Sequence, residues 1–181
     1  MKKSAIIVLA NGFEEIEAIT PIDLLRRANV DVTILGLNGM ELTGSHAIMI
    51  KADALFEFPA ALPDTIILPG GPGHKNLLDS SILIKLVKEM FSAKKLCAAI
   101  CAAPSIFGKA EILKGKNATC FPEYEKSLTG AFFIDKAVVV DGNVITSRGA
   151  GTAVPFSLEI IKYMLGPDAA EKIASSIIFR N

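Results

Sequence analysis

Lys95-Leu96-Cys97-Ala98-Ala99-Ile100-Cys101-Ala102-Ala103-Pro104-Ser105 is the stretch on which the fold turns. Its apolar run predicts a buried strand ending on Cys101. Pro104, pre-set for a first helical position, predicts a helix directly afterwards. The layout is that of a nucleophile elbow, with a thiol where many hydrolases place a serine. Bulky neighbours would clash in so sharp a turn, and Ala99, Ala102 and Ala103 suit it. The thiol is then expected at the carboxyl end of a strand, above a helix N-terminus that favours the thiolate. The competing reading is a plain buried cysteine, because free Cys is among the most buried residue types.

The same strand-turn-helix unit repeats along the chain. Residues 4–10 predict a buried strand, Asn11-Gly12 a turn, and residues 14–29 a helix that Pro21 kinks or restarts behind Thr20. Residues 30–37 predict the next strand, and residues 40–42 and 47–51 shorter ones. Thr65-Ile66-Ile67-Leu68 predicts a buried strand that ends in Pro69-Gly70-Gly71-Pro72-Gly73. Ile82, Leu83, Leu86, Val87 and Met90 fall at helical spacing within a helix over 81–93. Residues 104–111 predict a helix, and residues 137–140 and 143–146 a hairpin around Asp141-Gly142. Helices over 154–165 and 169–179 close the chain, separated by Gly166-Pro167. Buried strands alternating with helices require a mostly parallel sheet covered on both faces. The expectation is an α/β, flavodoxin-like three-layer sandwich with a mostly parallel central sheet.

The chain has 181 residues, 51% of them hydrophobic, and no formal net charge. That length predicts one domain over residues 1–181 with a sizeable core. Zero net charge gives no reason to expect nucleic acid or an anionic membrane as partner. The apolar run after Met1-Lys2-Lys3-Ser4 is too short for a signal-peptide core, and no segment is long and apolar enough to span a bilayer. Three cysteines (Cys97, Cys101, Cys120) argue against a disulfide framework and fit a reducing cytoplasm. No zinc-type cluster is visible, so no metal is expected.

Ligands of open parallel sheets bind at the carboxyl ends of the strands. Three loops lie there: Asn11-Gly12-Phe13-Glu14-Glu15-Ile16-Glu17, Pro69-Gly70-Gly71-Pro72-Gly73-His74, and the Cys101 turn. The glycine loop lacks the Gly-Lys-Ser/Thr of a phosphate-binding loop. It instead suits close backbone approach: the N–H groups of Gly71 and Ala102 are placed to hold a substrate oxyanion beside Cys101. Glu14 suits the positive end of its helix. Glu17 sits between apolar Ile16 and Ala18, and turned inward near the thiol it would be desolvated, with a raised pKa suited to proton transfer.

Glu14-Glu15-Ile16-Glu17, Leu68-Pro69-Gly70-Gly71, Ala99-Ile100-Cys101-Ala102-Ala103-Pro104 and Thr146-Ser147-Arg148-Gly149-Ala150-Gly151-Thr152 together resemble the ThiJ/PfpI superfamily, whose domain is class I glutamine amidotransferase-like. Within it the chain is most similar to the parkinsonism-associated "DJ-one" branch and its bacterial relatives, almost end to end. The resemblance implies a flavodoxin-like homodimer and an oxidation-prone nucleophile at Cys101. It implies that Glu17 is the carboxyl group on the sulfur, usually protonated, and that Gly71 and Ala102 are the backbone donors. It implies cofactor-free chemistry: conversion of methylglyoxal and glyoxal to hydroxy acids (glyoxalase III), removal of early glycated adducts (deglycase), and a redox-regulated chaperone role. An older association of the superfamily, thiamine-precursor synthesis, finds no thiazole or phosphate site here.

The chain departs from the resemblance at two positions. Phe121 stands where close relatives often carry a histidine before the proline. Ala102 stands where protease-like members carry a histidine after the nucleophile, and a papain-style thiol then has no base. Proton transfer falls to Glu17, or to His74 from the glycine loop. Taken alone, His74 reads as a solvated loop histidine, His46 likewise, Arg148 as a salt bridge that ties its loop down, and Cys97 and Cys120 as packing residues. Two functions compete: an enzyme acting on small reactive aldehydes, and a redox-responsive protective protein whose Cys101 is oxidised to the sulfinate.

Overall fold

The computed structural model describes residues 2–180, so Met1 and Asn181 of the expected 1–181 domain lie outside the described residues. The chain begins with β1 (Ser4–Leu9), α1 (Glu15–Arg27) and β2 (Asp31–Gly36), then the short strands β3 (Glu41–Thr43), β4 (Met49–Lys51) and β5 (Ala54–Leu55). Next, β6 (Thr65–Leu68) leads into α2 (His74–Asp79) and α3 (Ser81–Ser92), and β7 (Leu96–Ile100) into α4 (Pro104–Lys109). The short strands β8 (Asn117–Ala118) and β9 (Phe132–Phe133) flank a 3₁₀ turn at Glu125–Ser127. The hairpin of β10 (Val138–Asp141) and β11 (Val144–Ser147) follows, then a 3₁₀ turn at Ala150–Thr152, α5 (Ala153–Leu165) and α6 (Pro167–Ser176).

The central sheet runs β10-β11-β7-β6-β1-β2-β5. Every pairing within it is parallel except β10 with β11. Side chains alternate faces along a strand, so each strand feeds two cores. Ala5, Ile7 and Leu9 of β1 pack with Ala18, Ile22 and Leu25 of α1 and Phe156, Ile160 and Ile161 of α5. Ile6 and Val8 point the other way, toward Leu83, Leu86, Val87 and Met90 of α3 and Ile106 and Phe107 of α4. The expected flavodoxin-like sandwich is therefore the observed one.

Three local details differ from expectation. α1 continues through Pro21 without restarting at Thr20. Pro21 lacks an N–H, which leaves the Glu17 carbonyl, four residues back, without its helical partner. The last helix starts earlier than expected, with Pro167 in its first turn after Gly166 at φ 94°, and ends at Ser176. α2 and the two-residue strands β5, β8 and β9 were not expected, because six- and two-residue elements are too short to display a period.

The chain leaves β1 and β6 toward opposite ends of the strand order, so the two strands border a topological switch point. That is where open α/β sheets place their ligands. The loops after β1, β6 and β7 converge there.

Candidate active site

Cys101 has φ 65°, a left-handed conformation uncommon for a residue with a side chain. Such backbone costs of order 1–3 kcal/mol and persists only where the surroundings enforce it. Here the Cys101 N–H donates to the Ser147 carbonyl of β11 at 3.0 Å, and the Cys101 carbonyl accepts from the Phe121 N–H at 2.8 Å. Ala102 and Ala103 are buried against the turn. The elbow therefore presents Cys101 half-exposed, while Cys97 and Cys120 are buried.

Glu17 projects from α1 into the space under the thiol and is 1% exposed. Its Oε2 accepts the Gly70 N–H at 2.8 Å, and the carboxyl and the Cys101 sulfur crowd the same side of Gly70. Gly70 makes this meeting possible. A Cβ there would lie 2.7 Å from Cys101 Cβ, 2.8 Å from Glu17 Oε2 and 3.0 Å from Cys101 Sγ. The glycine pair thus divides its work: Gly71 supplies φ 80° for the turn, and Gly70 supplies room. Gly70 was not singled out from sequence, where the doubled glycine was the one available signal.

Burial raises the Glu17 carboxyl to about 7, against the pull of the Gly70 N–H and the Cys101 hydrogen bond. Burial, then the charge and hydrogen bond of Glu17, push the Cys101 thiol up to about 12, against the N–H groups of Gly71 and Ala102. The expected depression of the thiol by a helix N-terminus is therefore corrected. α4 has six residues and starts three positions after Cys101, and burial together with the adjacent carboxyl outweighs the two backbone N–H groups that favour the thiolate. Near pH 7 about half the molecules have Glu17 ionised, with a proton on the sulfur beside it. Moving that proton to Glu17 creates a thiolate and removes the opposing charge in one step.

A pocket of about 290 Å³ opens over the thiol, lined by Gly71, Pro72, His74, Lys75, Cys101, Ala102, Phe121 and Tyr124. Phe121, in the position where the resemblance leads one to look for histidine, forms an apolar wall packed over Gly149. His74 is not the solvated loop residue expected. It opens α2, is 4% exposed, and meets the Tyr124 ring edge-on with centroids 5.3 Å apart. Arg148 pairs with Asp135, as the structural reading held.

Glu15, beside Glu17, is also buried but serves a different purpose. It accepts the His46 N–H at 2.7 Å and lies 2.9 Å from His46 Nδ1 and 3.1 Å from Ser45 Oγ. Burial alone would raise its pKa. The His46 and Ser45 hydrogen bonds outweigh burial and bring it down to about 2. His46, exposed, is raised in turn by Glu15. Glu14, Glu15 and His46 bring one ligand atom each within 4.8 Å of one another, a group absent from the sequence expectation because His46 lies some thirty residues away. Its atoms are largely satisfied by one another, and it clamps the β3–β4 turn onto α1.

The DJ-1/PfpI family profile matches residues 3–163. The chain is 39% identical over 183 residues to protein dj-1beta of Drosophila melanogaster, covering 98% of each. A crystal structure of that relative superposes with a TM-score of 0.94 over 100% of both chains, at 38% identity. A deglycase of Pyrococcus abyssi is 30% identical over 164 residues, 88% of this chain and 98% of its own. Toxoplasma gondii DJ-1, in a structure described as oxidized, matches at TM-score 0.93 and 30% identity, over 99% of this chain and 100% of its own.

Proposed function

The chain belongs to the DJ-1/PfpI family, and from that premise we propose that it is a cysteine-dependent, cofactor-free enzyme acting on reactive aldehydes, of the glyoxalase III and deglycase type. The observation that carries this reading is the meeting of the buried Glu17 carboxyl and the half-exposed Cys101 thiol around Gly70, in a pocket that Gly71 and Ala102 line. The thiol proton passes to Glu17, and the thiolate attacks the aldehyde carbon of methylglyoxal or glyoxal. The carbonyl oxygen, held by Gly71 and Ala102 N–H, takes up a proton to complete a hemithioacetal. Moving the carbon-bound proton to the neighbouring carbon converts the hemithioacetal to a thioester. Water then releases the hydroxy acid and restores the thiol. Methylglyoxal plus water thus becomes lactate, with no external oxidant or reductant. The Pyrococcus deglycase supports the related substrate class of glycated adducts.

Purified protein should form lactate from methylglyoxal without glutathione or metal, and Cys101→Ala should abolish it. Retention of the rate by Cys101→Ala defeats the reading. The same reading makes residues 1–181 one cytoplasmic domain. No helix among the described residues is long and apolar enough to cross a membrane. It also makes the protein a homodimer. Ile16 and Ile19 of α1, Ile48 just before β4 and Met49 at its start are exposed large apolar side chains, and the Glu15–His46 clamp ties these two segments together.

A redox-sensing role is the second reading, favoured by the half-exposed thiol under two N–H donors and by the oxidized Toxoplasma relative. Mild peroxide should then add two oxygens at Cys101 alone.

A further inference from the structure

We propose that His74 is a second proton-transfer residue of the Cys101 pocket, accepting through Nε2 the carbon-bound proton of the hemithioacetal. The inference rests on the aldehyde reading above. The tautomer follows from the hydrogen bonds. His74 Nδ1 lies 2.8 Å from the Gly71 carbonyl oxygen. A carbonyl only accepts, so Nδ1 carries the hydrogen and the neutral ring bears its lone pair on Nε2. Burial and the Lys75 charge keep the ring neutral against the pull of the Gly71 carbonyl. Nε2 has no hydrogen-bond partner among the described residues and is not one of the sealed, partnerless polar atoms. It is therefore open to solvent, and His74 lines the pocket together with Cys101. The ring is also held in place: Tyr124 packs edge-on at an interplanar angle of 81°, and the Nδ1 bond fixes its rotation. A fixed, neutral imidazole with an open nitrogen is the form a general base requires.

The division of labour solves a problem that Glu17 cannot solve alone. Glu17 lies beside the sulfur, bonded to the Gly70 N–H, and receives the thiol proton. A hemithioacetal on Cys101 would place the former aldehyde carbon in the pocket that Cys101 borders, away from buried Glu17. His74 Nε2 takes that proton as the electrons of the C–H bond form the enediolate. The resulting Nε2–H returns the proton to the adjacent carbon while the hydroxyl proton passes to the neighbouring oxygen, giving the thioester. The titratable and charged groups that line this pocket are Lys75 on α2, Tyr124, and Cys101 on the elbow, with Glu17 buried beside the thiol.

His74→Asn separates the base from the prop, because the asparagine amide keeps an N–H near the Nδ1 position and lacks Nε2. Iodoacetamide should label Cys101 of His74→Asn at the wild-type rate, while lactate formation from methylglyoxal falls about 10²-fold or more. The acidic limb of kcat/KM that Glu17 sets at about 7 should remain in the variant, whereas the steeper fall that the lower-titrating His74 adds below it in the wild type should disappear from the residual activity. Lactate formation within a few-fold of wild type overturns the proposal. So does a fall in activity matched by an equal fall in Cys101 labelling, which makes the ring a support only. If the wild type itself forms no lactate, the aldehyde reading fails first and the proposal falls with it.

Discussion

Glu17→Gln isolates the energetic cost of the carboxyl under the thiol. The Glu17 carboxyl titrates at about 7 in the folded protein, against an ordinary value of 4.5, chiefly because it is buried. At about 1.4 kcal/mol per pH unit, ionising it in place costs roughly 3 kcal/mol of stability at pH 8. The sign follows from which state holds the proton. Below pH 4.5 the group is protonated folded and unfolded, and its full contribution is present. Between 4.5 and 7 only the folded state keeps the proton, so stability falls as pH rises, and above 7 the loss is complete. Glutamine is nearly the same size, still offers an oxygen to the Gly70 N–H, and never ionises. Urea unfolding of both proteins from pH 4.5 to 8 gives the difference directly. Glu15 and His46 titrate in both proteins and cancel. Wild-type stability should fall relative to Glu17→Gln by roughly 3 kcal/mol across that range. The Cys101 thiolate absorbance should also appear at lower pH in the variant, because the carboxylate charge that opposes it is gone. Parallel stability curves, or an unmoved thiol titration, would show that Glu17 is solvated or otherwise neutralised.

Gly70→Ala should destabilise the fold by about 1–3 kcal/mol, the usual range for overpacking a tight site, and slow Cys101 alkylation, read by urea midpoint and iodoacetamide kinetics. An unchanged protein would mean the loop moves aside freely. Glu15→Gln should lower the unfolding midpoint at pH 7 and leave it near wild type at pH 2. Its carboxylate is held at about 2, so its contribution is present above 4.5 and lost as pH falls toward 2. Limited iodoacetamide treatment of the native protein should modify Cys101 before Cys97 or Cys120, as peptide mapping would register, since burial seals the other two.

The chain alone determined the layered α/β architecture, the elbow at Cys101 and the inward turn of Glu17. These are local or periodic properties: apolar runs that only a sheet covered on both faces can bury, small residues around a tight turn, a carboxylate among apolar neighbours. Tertiary structure decided the rest. His74 looks like a loop residue in sequence because six-residue α2 has no readable period, and its burial depends on Tyr124, fifty positions later. Gly70 is one of two adjacent glycines until folding sets Glu17 and Cys101 against it. Glu15 and Glu17 stand two positions apart on one helix, yet one is held at about 2 and the other at about 7. Donors from the β3–β4 turn surround the first, and the second meets a thiol with few donors in a dry site. The ionisation of a buried group is set by what surrounds it, and for these two carboxyls the surroundings come from parts of the chain that only folding brings together.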